Sequence, residues 1–304
     1  MIFYATKQLF LHTQKNFGMK PKGILIPIGG NEDKGVEENE QYTLEYIEEG
    51  ILSRVVKEAG GTDAEILIIP TASSIPEEVG KNYLQAFGKL GCTNLFVMDI
   101  REREDSDTSD FLSRMKTAAC VMFSGGNQSK ITRKIGGTEL HKIMLQRYQE
   151  EAFVIAGTSA GAMCMSHEMI TGGSSQESFI KGAVGMNSGM SFIPELIIDS
   201  HFIRRGRFGR MAEAVARFPK LIGVGLAEDT GLIIKNGKFE VLGSGMVILF
   251  NARKAKHNNH AILEEGTPMS LVNLKTHILA SGDRFNIKKK KVKVSPLSIP
   301  VVEG

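Results

Sequence analysis

The fold is decided by residues 153–165, which read FVIAGTSAGAMCM. The apolar start has the length and composition of a buried strand, and the small residues that follow open a stretch with helical periodicity. Four similar units precede it along the chain. Strands are predicted at 23–28, 65–69, 94–99, 119–123 and 153–156, with helices near 42–59, 77–90, 109–117 and 128–150. This alternation predicts an α/β fold with a doubly wound, mostly parallel sheet.

The pattern changes after residue 195. A strand at 195–202 and a helix at 206–218 are followed by short strand signals near 221, 230, 238, 246 and 271, with a hairpin signal at 235–238. No linker separates this β-rich C-terminal part from the rest. We therefore expect a single α/β domain over residues 21–304, preceded by an N-terminal extension at 1–20.

The composition of the chain bears on its binding partners and on its cellular compartment. The chain has 304 residues, 42% of them hydrophobic, and a net charge of +3, which gives no electrostatic case for nucleic acid or an anionic membrane as partner. Residues 1–19 make a poor signal peptide. Cys92, Cys120 and Cys164 form no C-x-x-C pair, so we expect them to be reduced and buried, which favours the cytoplasm.

One strand end suggests a reaction by itself. Residues 157–161 fit G-x-S-x-G, a strand-to-helix turn that exposes a serine hydroxyl, here that of Ser159. The competing interpretation is a tight glycine-rich turn that packs closely or holds a phosphate. Among the seven histidines, His201 alone follows a predicted strand directly, whereas His141 is expected on an exposed helix. His201 is therefore the predicted base for Ser159.

The third catalytic group should be a carboxylate that orients the imidazole. Glu177 is favoured because it lies between Ser159 and His201 in a loop of small residues, with Glu168 and Asp199 as alternatives. The backbone amides of Gly126 and Ala160 are the predicted oxyanion donors.

A cluster of arginines opens the helix after His201, at positions 204, 205, 207 and 210. Cations in a first helical turn oppose the helix dipole, so we expect these guanidinium groups to meet carboxylates, for example those of a substrate. The alternative is a solvated basic helix start paired with Glu228 and Asp229.

Three other features favour ordinary structural interpretations. Residues 288–293 are expected to form the exposed face of a terminal strand, and the methionines between 163 and 190 to pack around the turn at Ser159. His257 and His260 lack a third ligand, so no metal is expected.

Several motifs in order, from about residue 22 to 294, resemble the S51 serine peptidases. They are GGNEDK at 29–34, IPTAS at 69–73, FSGGNQ at 123–128, GTSAGA at 157–162, DSHF at 199–202, RGR at 205–207 with Arg210, and SGDRF at 281–285.

The resemblance implies a cytoplasmic, homodimeric serine exopeptidase with a flavodoxin-like sheet and no cofactor. It implies cyanophycin as substrate, a polyaspartate backbone carrying arginine on each β-carboxyl, and β-Asp-Arg dipeptides as products. By motif position, Ser159 matches the nucleophile, His201 the base and Glu177 the third member. Polymer-binding positions match Gln128, Asp199, Arg205, Arg207 and Arg210.

Ser200 departs from the family pattern, which commonly has glutamine between the Asp and the His. A shorter hydroxyl side chain loses an amide's hydrogen bonds, so a target such as other aspartyl peptides stays open. The remaining alternatives are a non-catalytic peptide binder and an α/β-hydrolase esterase, for which Ser159 and His201 lie too close in sequence.

Overall fold

The computed structural model describes residues 20–35, 48, 50–173 and 178–296. These residues form a nine-stranded sheet in the order β17-β16-β11-β10-β1-β5-β4-β2-β3. The predicted doubly wound α/β fold is confirmed, because the five strands at one end of this order run parallel to one another.

The parallel half is built from nearly uninterrupted apolar runs, as expected for strands covered on both faces. Its strands are β1 (Ile24–Ile28), β2 (Ile66–Ile69), β3 (Leu95–Val97), β4 (Cys120–Phe123) and β5 (Val154–Thr158). The helices between them are α1 (Ile51–Ala59), α2 (Pro76–Lys89), α3 (Ser109–Thr117), α4 (Gln128–Lys134) and α5 (Glu139–Glu150), with a 3₁₀ turn at Glu104–Asp107. Two buried apolar clusters pack on opposite faces of these strands.

The antiparallel half extends the sheet beyond β1. It consists of β10 (Thr230–Lys235), β11 (Lys238–Gly243), β16 (Arg284–Asn286) and β17 (Lys291–Lys293). The predicted hairpin is confirmed, since Asn236 and Gly237 both have positive φ between the paired residues Lys235 and Lys238. The terminal strand predicted at 288–293 is confirmed over Lys291–Lys293, which form the edge strand β17, whereas residues 288–290 form a turn before it.

A second sheet has the order β15-β12-β9-β8. Its strands are β8 (Leu196–Asp199), β9 (Ile222–Leu226), β12 (Val247–Asn251) and β15 (Lys275–Leu279). Helix α7 (Phe208–Arg217) packs on it, while α6 (Ala160–Met163) follows β5. Two short hairpins complete the described chain: β6 (Glu168–Ile170) with β7 (Met186–Ser188), and β13 (His257–Asn258) with β14 (Leu271–Val272).

The single helix predicted at 128–150 is wrong. Gly137 has φ of +75°, and the Thr138 hydroxyl caps the following helix by accepting a hydrogen bond from the His141 amide. The prediction of an exposed His141 is also wrong, because its ring is buried against the Met190 carbonyl at 2.9 Å. Burial lowers the pKa of His141 to about 4.

Three sequence expectations lie wholly or partly outside the described residues: residues 1–19 of the extension predicted at 1–20, the start of the helix predicted at 42–59, and Glu177. All three cysteines are free and buried, as predicted. Among the described residues, no helix is long and apolar enough to cross a membrane.

Candidate active site

Ser159 occupies a strained turn between β5 and α6. Its backbone has φ of 50° and ψ of −104°, an arrangement rarely adopted by residues other than glycine and found mainly at functional sites. The flanking glycines permit the turn, because a Cβ on Gly157 would lie 2.6 Å from the Gly161 carbonyl carbon and one on Gly161 would lie 2.6 Å from the Phe123 carbonyl oxygen. The elbow geometry expected from the sequence is present.

The end of β1 brings Ser159 and His201 together. The Ser159 amide donates to the Ile28 carbonyl and the His201 amide donates to the Gly29 carbonyl, each at 2.8 Å. The imidazole lies against Gly30, where an added Cβ would stand 2.5 Å from Nε2. His201 also has a positive φ, of 47°. Two strained residues thus lie at the end of β1, and the catalytic roles predicted for them stay predictions.

Glu228 holds the His201 ring from the other side. Its Oε1 lies 3.0 Å from His201 Nδ1, so the carboxylate accepts a hydrogen bond from this nitrogen and leaves Nε2 as the ring nitrogen that can accept a proton. Among the described residues, the Ser159 hydroxyl is hydrogen-bonded to the Ser200 hydroxyl and not to Nε2. The two residues meet because β8 and β9 run parallel, and each residue follows one of these strands. Glu228 therefore takes the orienting position on the imidazole.

Several groups set the pKa of His201. Burial lowers it below the ordinary value, and the positive charges of Arg205 and Arg207 lower it further, while the hydrogen bond and charge of Glu228 oppose this shift. The lowered pKa favours the neutral imidazole, the form that can accept a proton from a serine hydroxyl.

Glu177, the acid predicted from the sequence, lies outside the described residues. Its assignment stays a prediction. The sequence considered Glu228 only as a partner for the arginines. The available signal was its place directly after a strand, together with a parallel pairing of that strand with the one that precedes His201.

Asp199 is fully buried and binds two arginines of the predicted cluster. Arg210 forms a two-pronged contact, with Nε 2.7 Å from Oδ2 and Nη2 2.5 Å from Oδ1. Arg207 Nη1 lies 3.0 Å from Oδ1 and also donates to the Ser200 carbonyl. The carboxylate that these two guanidinium groups meet thus comes from the protein itself, and the alternative pairing with Glu228 and Asp229 is not seen among the described ion pairs.

Arg204 and Arg205 differ from Arg207 and Arg210. Both are exposed, and neither forms an ion pair with the acids of the described residues. The positive charge of Arg205 acts on the pKa of His201, which places Arg205 on the side of the site. Its guanidinium remains available to a ligand.

Ser200 and Gln128 also lie in the neighbourhood of the elbow. The Ser200 hydroxyl is buried, 3.4 Å from the Ser159 hydroxyl oxygen and 3.3 Å from the Met163 sulfur. Gln128 donates its side-chain amide to the Ile170 carbonyl at 2.7 Å. Ser200 therefore faces the predicted nucleophile directly, whereas Gln128 joins α4 to β6.

The predicted oxyanion donors are amides at the ends of β4 and β5. Within the part of the chain that the structure describes, the amides of Gly126 and Ala160 have no hydrogen-bond acceptor. The loop after β4 reaches the elbow, since a Cβ on Gly125 would lie 3.5 Å from the Ser159 Cβ. The role of these amides as oxyanion donors stays a prediction.

The expected absence of metal rests on the sequence. In the described ranges no group of three or more His, Cys, Asp or Glu side chains could hold a metal ion. As predicted for this stretch, the buried methionines at 165, 169 and 190 share an apolar cluster with Ala160, and the Met163 sulfur contacts the Ser200 hydroxyl; Met186 is half-buried.

A family model described as peptidase family S51 matches residues 38–242. The chain belongs to this family. Cyanophycinase from Geminocystis herdmanii (strain PCC 6308) is 36% identical over 268 residues, which cover 88% of this peptidase and 94% of that protein. Cyanophycinase from Trichormus variabilis (strain ATCC 29413 / PCC 7937) is 36% identical over 272 residues, which cover 89% and 88% of the two chains.

The fold of this S51 peptidase is also found in a solved structure. The crystal structure of a peptidase from an acI-B1 Actinobacterium superposes with a TM-score of 0.59 at 21% identity, covering 89% of this chain and 99% of that one. The likeness supports the fold, while the sequence motifs carry the family membership.

Proposed function

We propose that this S51 peptidase hydrolyses cyanophycin to β-Asp-Arg dipeptides through an acyl-enzyme on Ser159. The observation that carries the chemistry is the His201 imidazole, which is fixed on Nδ1 by Glu228 beside the strained Ser159 turn. The substrate class is supported by the 36% identity to two proteins named cyanophycinase over nearly their whole length.

The reaction begins with attack of Ser159 Oγ on a substrate carbonyl carbon. His201 Nε2 takes the hydroxyl proton, and the amides of Ala160 and Gly126 stabilise the oxyanion. The tetrahedral intermediate collapses as the imidazolium gives its proton to the leaving nitrogen, so the amide bond breaks and an ester to Ser159 remains. Water then attacks the ester, with His201 again accepting and returning a proton.

We assign the orienting role to Glu228. The Glu228 carboxylate already accepts the hydrogen bond of His201 Nδ1, so Nε2 is the nitrogen left to take the proton of Ser159. The sequence-based alternative, Glu177, would need to displace this contact.

Recognition of the substrate is assigned to the region around the arginine cluster. Each arginine of the polymer presents both a carboxylate and a guanidinium group. The exposed guanidinium group of Arg205 can bind that carboxylate. Arg207 is half-buried, and burial lowers its pKa to about 10, with Asp199 opposing this shift. Asp199 acts by orienting Arg207 and Arg210, since both of its oxygens are bound to them. Gln128 and Ser200 complete the proposed pocket.

We further propose a cytoplasmic homodimer. The buried free cysteines suit a reducing compartment. Light scattering on the purified protein measures its mass in solution, and cell fractionation its location.

A substrate panel tests the proposed function. The purified protein is incubated with cyanophycin and, separately, with α-linked aspartyl dipeptides, and the products are identified by mass spectrometry. The expected result is release of β-Asp-Arg from cyanophycin and no cleavage of the aspartyl dipeptides. Cleavage of the dipeptides alone would assign the enzyme to other aspartyl peptides. No cleavage, together with no labelling of Ser159 by a fluorophosphonate, would indicate a peptide binder.

A further inference from the structure

A buried carboxylate lies directly behind the nucleophile turn. Glu32 follows β1 and is 2% exposed. Its Oε2 accepts a hydrogen bond from the hydroxyl of Thr158, the residue that precedes Ser159, at 2.5 Å. Its Oε1 accepts from the Tyr83 hydroxyl at 2.6 Å and contacts the Lys34 ammonium at 2.9 Å. Glu32 thus joins the turn after β1, helix α2 and the end of β5.

This contact set keeps Glu32 ionised inside the protein. Burial by itself would raise the pKa of the carboxyl, but the charge of Lys34 and the hydrogen bonds from Thr158 and Tyr83 outweigh it and hold the pKa below the ordinary value. Hydrogen bonds to an ionised acceptor are about twice as strong as neutral ones. The Thr158 side chain is therefore held firmly.

The loop fixed by Glu32 also touches the other two catalytic groups. The carbonyl of Gly29 accepts the His201 amide, and the His201 ring lies on Gly30. The carbonyl of Gly30 accepts the amide of Asp229, the neighbour of Glu228, at 2.9 Å. Residues 29–32 therefore contact the nucleophile turn, the base and the segment that carries the orienting acid.

We propose that Glu32 is a positioning residue: by accepting the hydrogen bond of the Thr158 hydroxyl, it fixes the position of the Ser159 turn relative to His201. The inference rests on the proposed catalytic role of Ser159. Glu32 itself, enclosed behind the turn, has no contact with substrate. Loss of its carboxylate should slow the attack by Ser159 and leave substrate binding intact, because a small misplacement of a reacting group can cost about a hundredfold in rate.

The test is the rate of fluorophosphonate labelling of Ser159, which reports nucleophile reactivity without any choice of substrate. Glu32→Gln and Thr158→Val should each label about ten- to a hundredfold more slowly than wild type. Thr158→Ser, which keeps the hydroxyl, should restore most of the rate. The double variant should be no slower than the slower single variant, since both remove the same contact. The KM for cyanophycin should change little while kcat falls.

A matched control separates positioning from general destabilisation. Asp283 is another buried carboxylate that accepts backbone amides, from Ala280 and Ser295, at the far edge of the sheet. Asp283→Asn should lower the melting temperature without slowing labelling. If Glu32→Gln does not fold, Thr158→Val and Thr158→Ser provide the same comparison. Wild-type labelling rates in the Glu32→Gln or Thr158→Val variant would overturn the proposal, and so would additive losses in the double variant. A wild-type protein that is not labelled at all would instead overturn the proposed function.

Discussion

Replacement of Glu228 by glutamine removes the carboxylate that orients the catalytic base. The Nδ1–Oε1 distance of 3.0 Å and the partial burial of both side chains, 12% and 21% exposed, make this a charge-assisted hydrogen bond in a largely enclosed setting. A glutamine amide can donate to Nδ1, which places the ring proton on Nε2, the nitrogen that must accept from Ser159.

We expect kcat to fall by about 10²–10⁴-fold, the range lost with acid–base groups, which equals about 3–5 kcal/mol of transition-state stabilisation. The melting temperature should change little, because a partly exposed pair contributes at most about 1 kcal/mol to stability. Loss of the Glu228 contact should also lower the pKa of His201 further. Because the base must be neutral, the acid limb of the residual kcat/KM profile should move to lower pH.

The assay is dipeptide release from cyanophycin, with fluorophosphonate labelling as a substrate-independent check. Glu177→Gln is the matched comparison and should remain within about threefold of wild type, because Glu228 already accepts the hydrogen bond of His201 Nδ1. A large loss in Glu177→Gln with near-normal activity in Glu228→Gln would refute the assignment of the orienting acid.

Three further perturbations follow from the site. Gly30→Ala should lower kcat by about a hundredfold, because its methyl group would lie 2.3 Å from His201 Cε1, and unchanged kinetics would contradict the packing of the ring on this glycine. Arg210→Met should lower the free energy of unfolding in urea by about 3 kcal/mol, since it leaves the buried Asp199 with one arginine, and a change below about 1 kcal/mol would argue against the ion pair. Arg205→Gln should raise the pKa of His201, so the acid limb of kcat/KM should shift to higher pH, and a shift to lower pH would contradict the account.

The parallel half of the fold was readable from the sequence because its signals are local. An apolar run such as 66–69 and a glycine pair around Ser159 determine a buried strand and a strained turn without reference to distant residues. The break in the helix predicted at 128–150 was also local, at Gly136 and Gly137. The prediction missed the break because the residues on both sides of it have helical periodicity.

The sequence did not indicate Glu228 as the orienting acid, because its signal is not local. Glu228 reaches His201 because β8 and β9 form a separate sheet in which they run parallel, a pairing between segments with no shared local signal. The same holds for Glu32, whose partners Tyr83 and Thr158 are distant in sequence. The sequence could not predict the pairing of Arg207 and Arg210 with Asp199, because a carboxylate of the substrate would bind the same guanidinium groups equally well.

Dipeptide release from purified cyanophycin by wild type and by Ser159→Ala tests the central claim most directly. The account predicts β-Asp-Arg, identified by mass spectrometry, from the wild-type enzyme and none above background from the variant, with circular dichroism showing that the variant is folded. Equal release by both proteins would contradict Ser159 as nucleophile, and no release by the wild type would contradict cyanophycin as substrate.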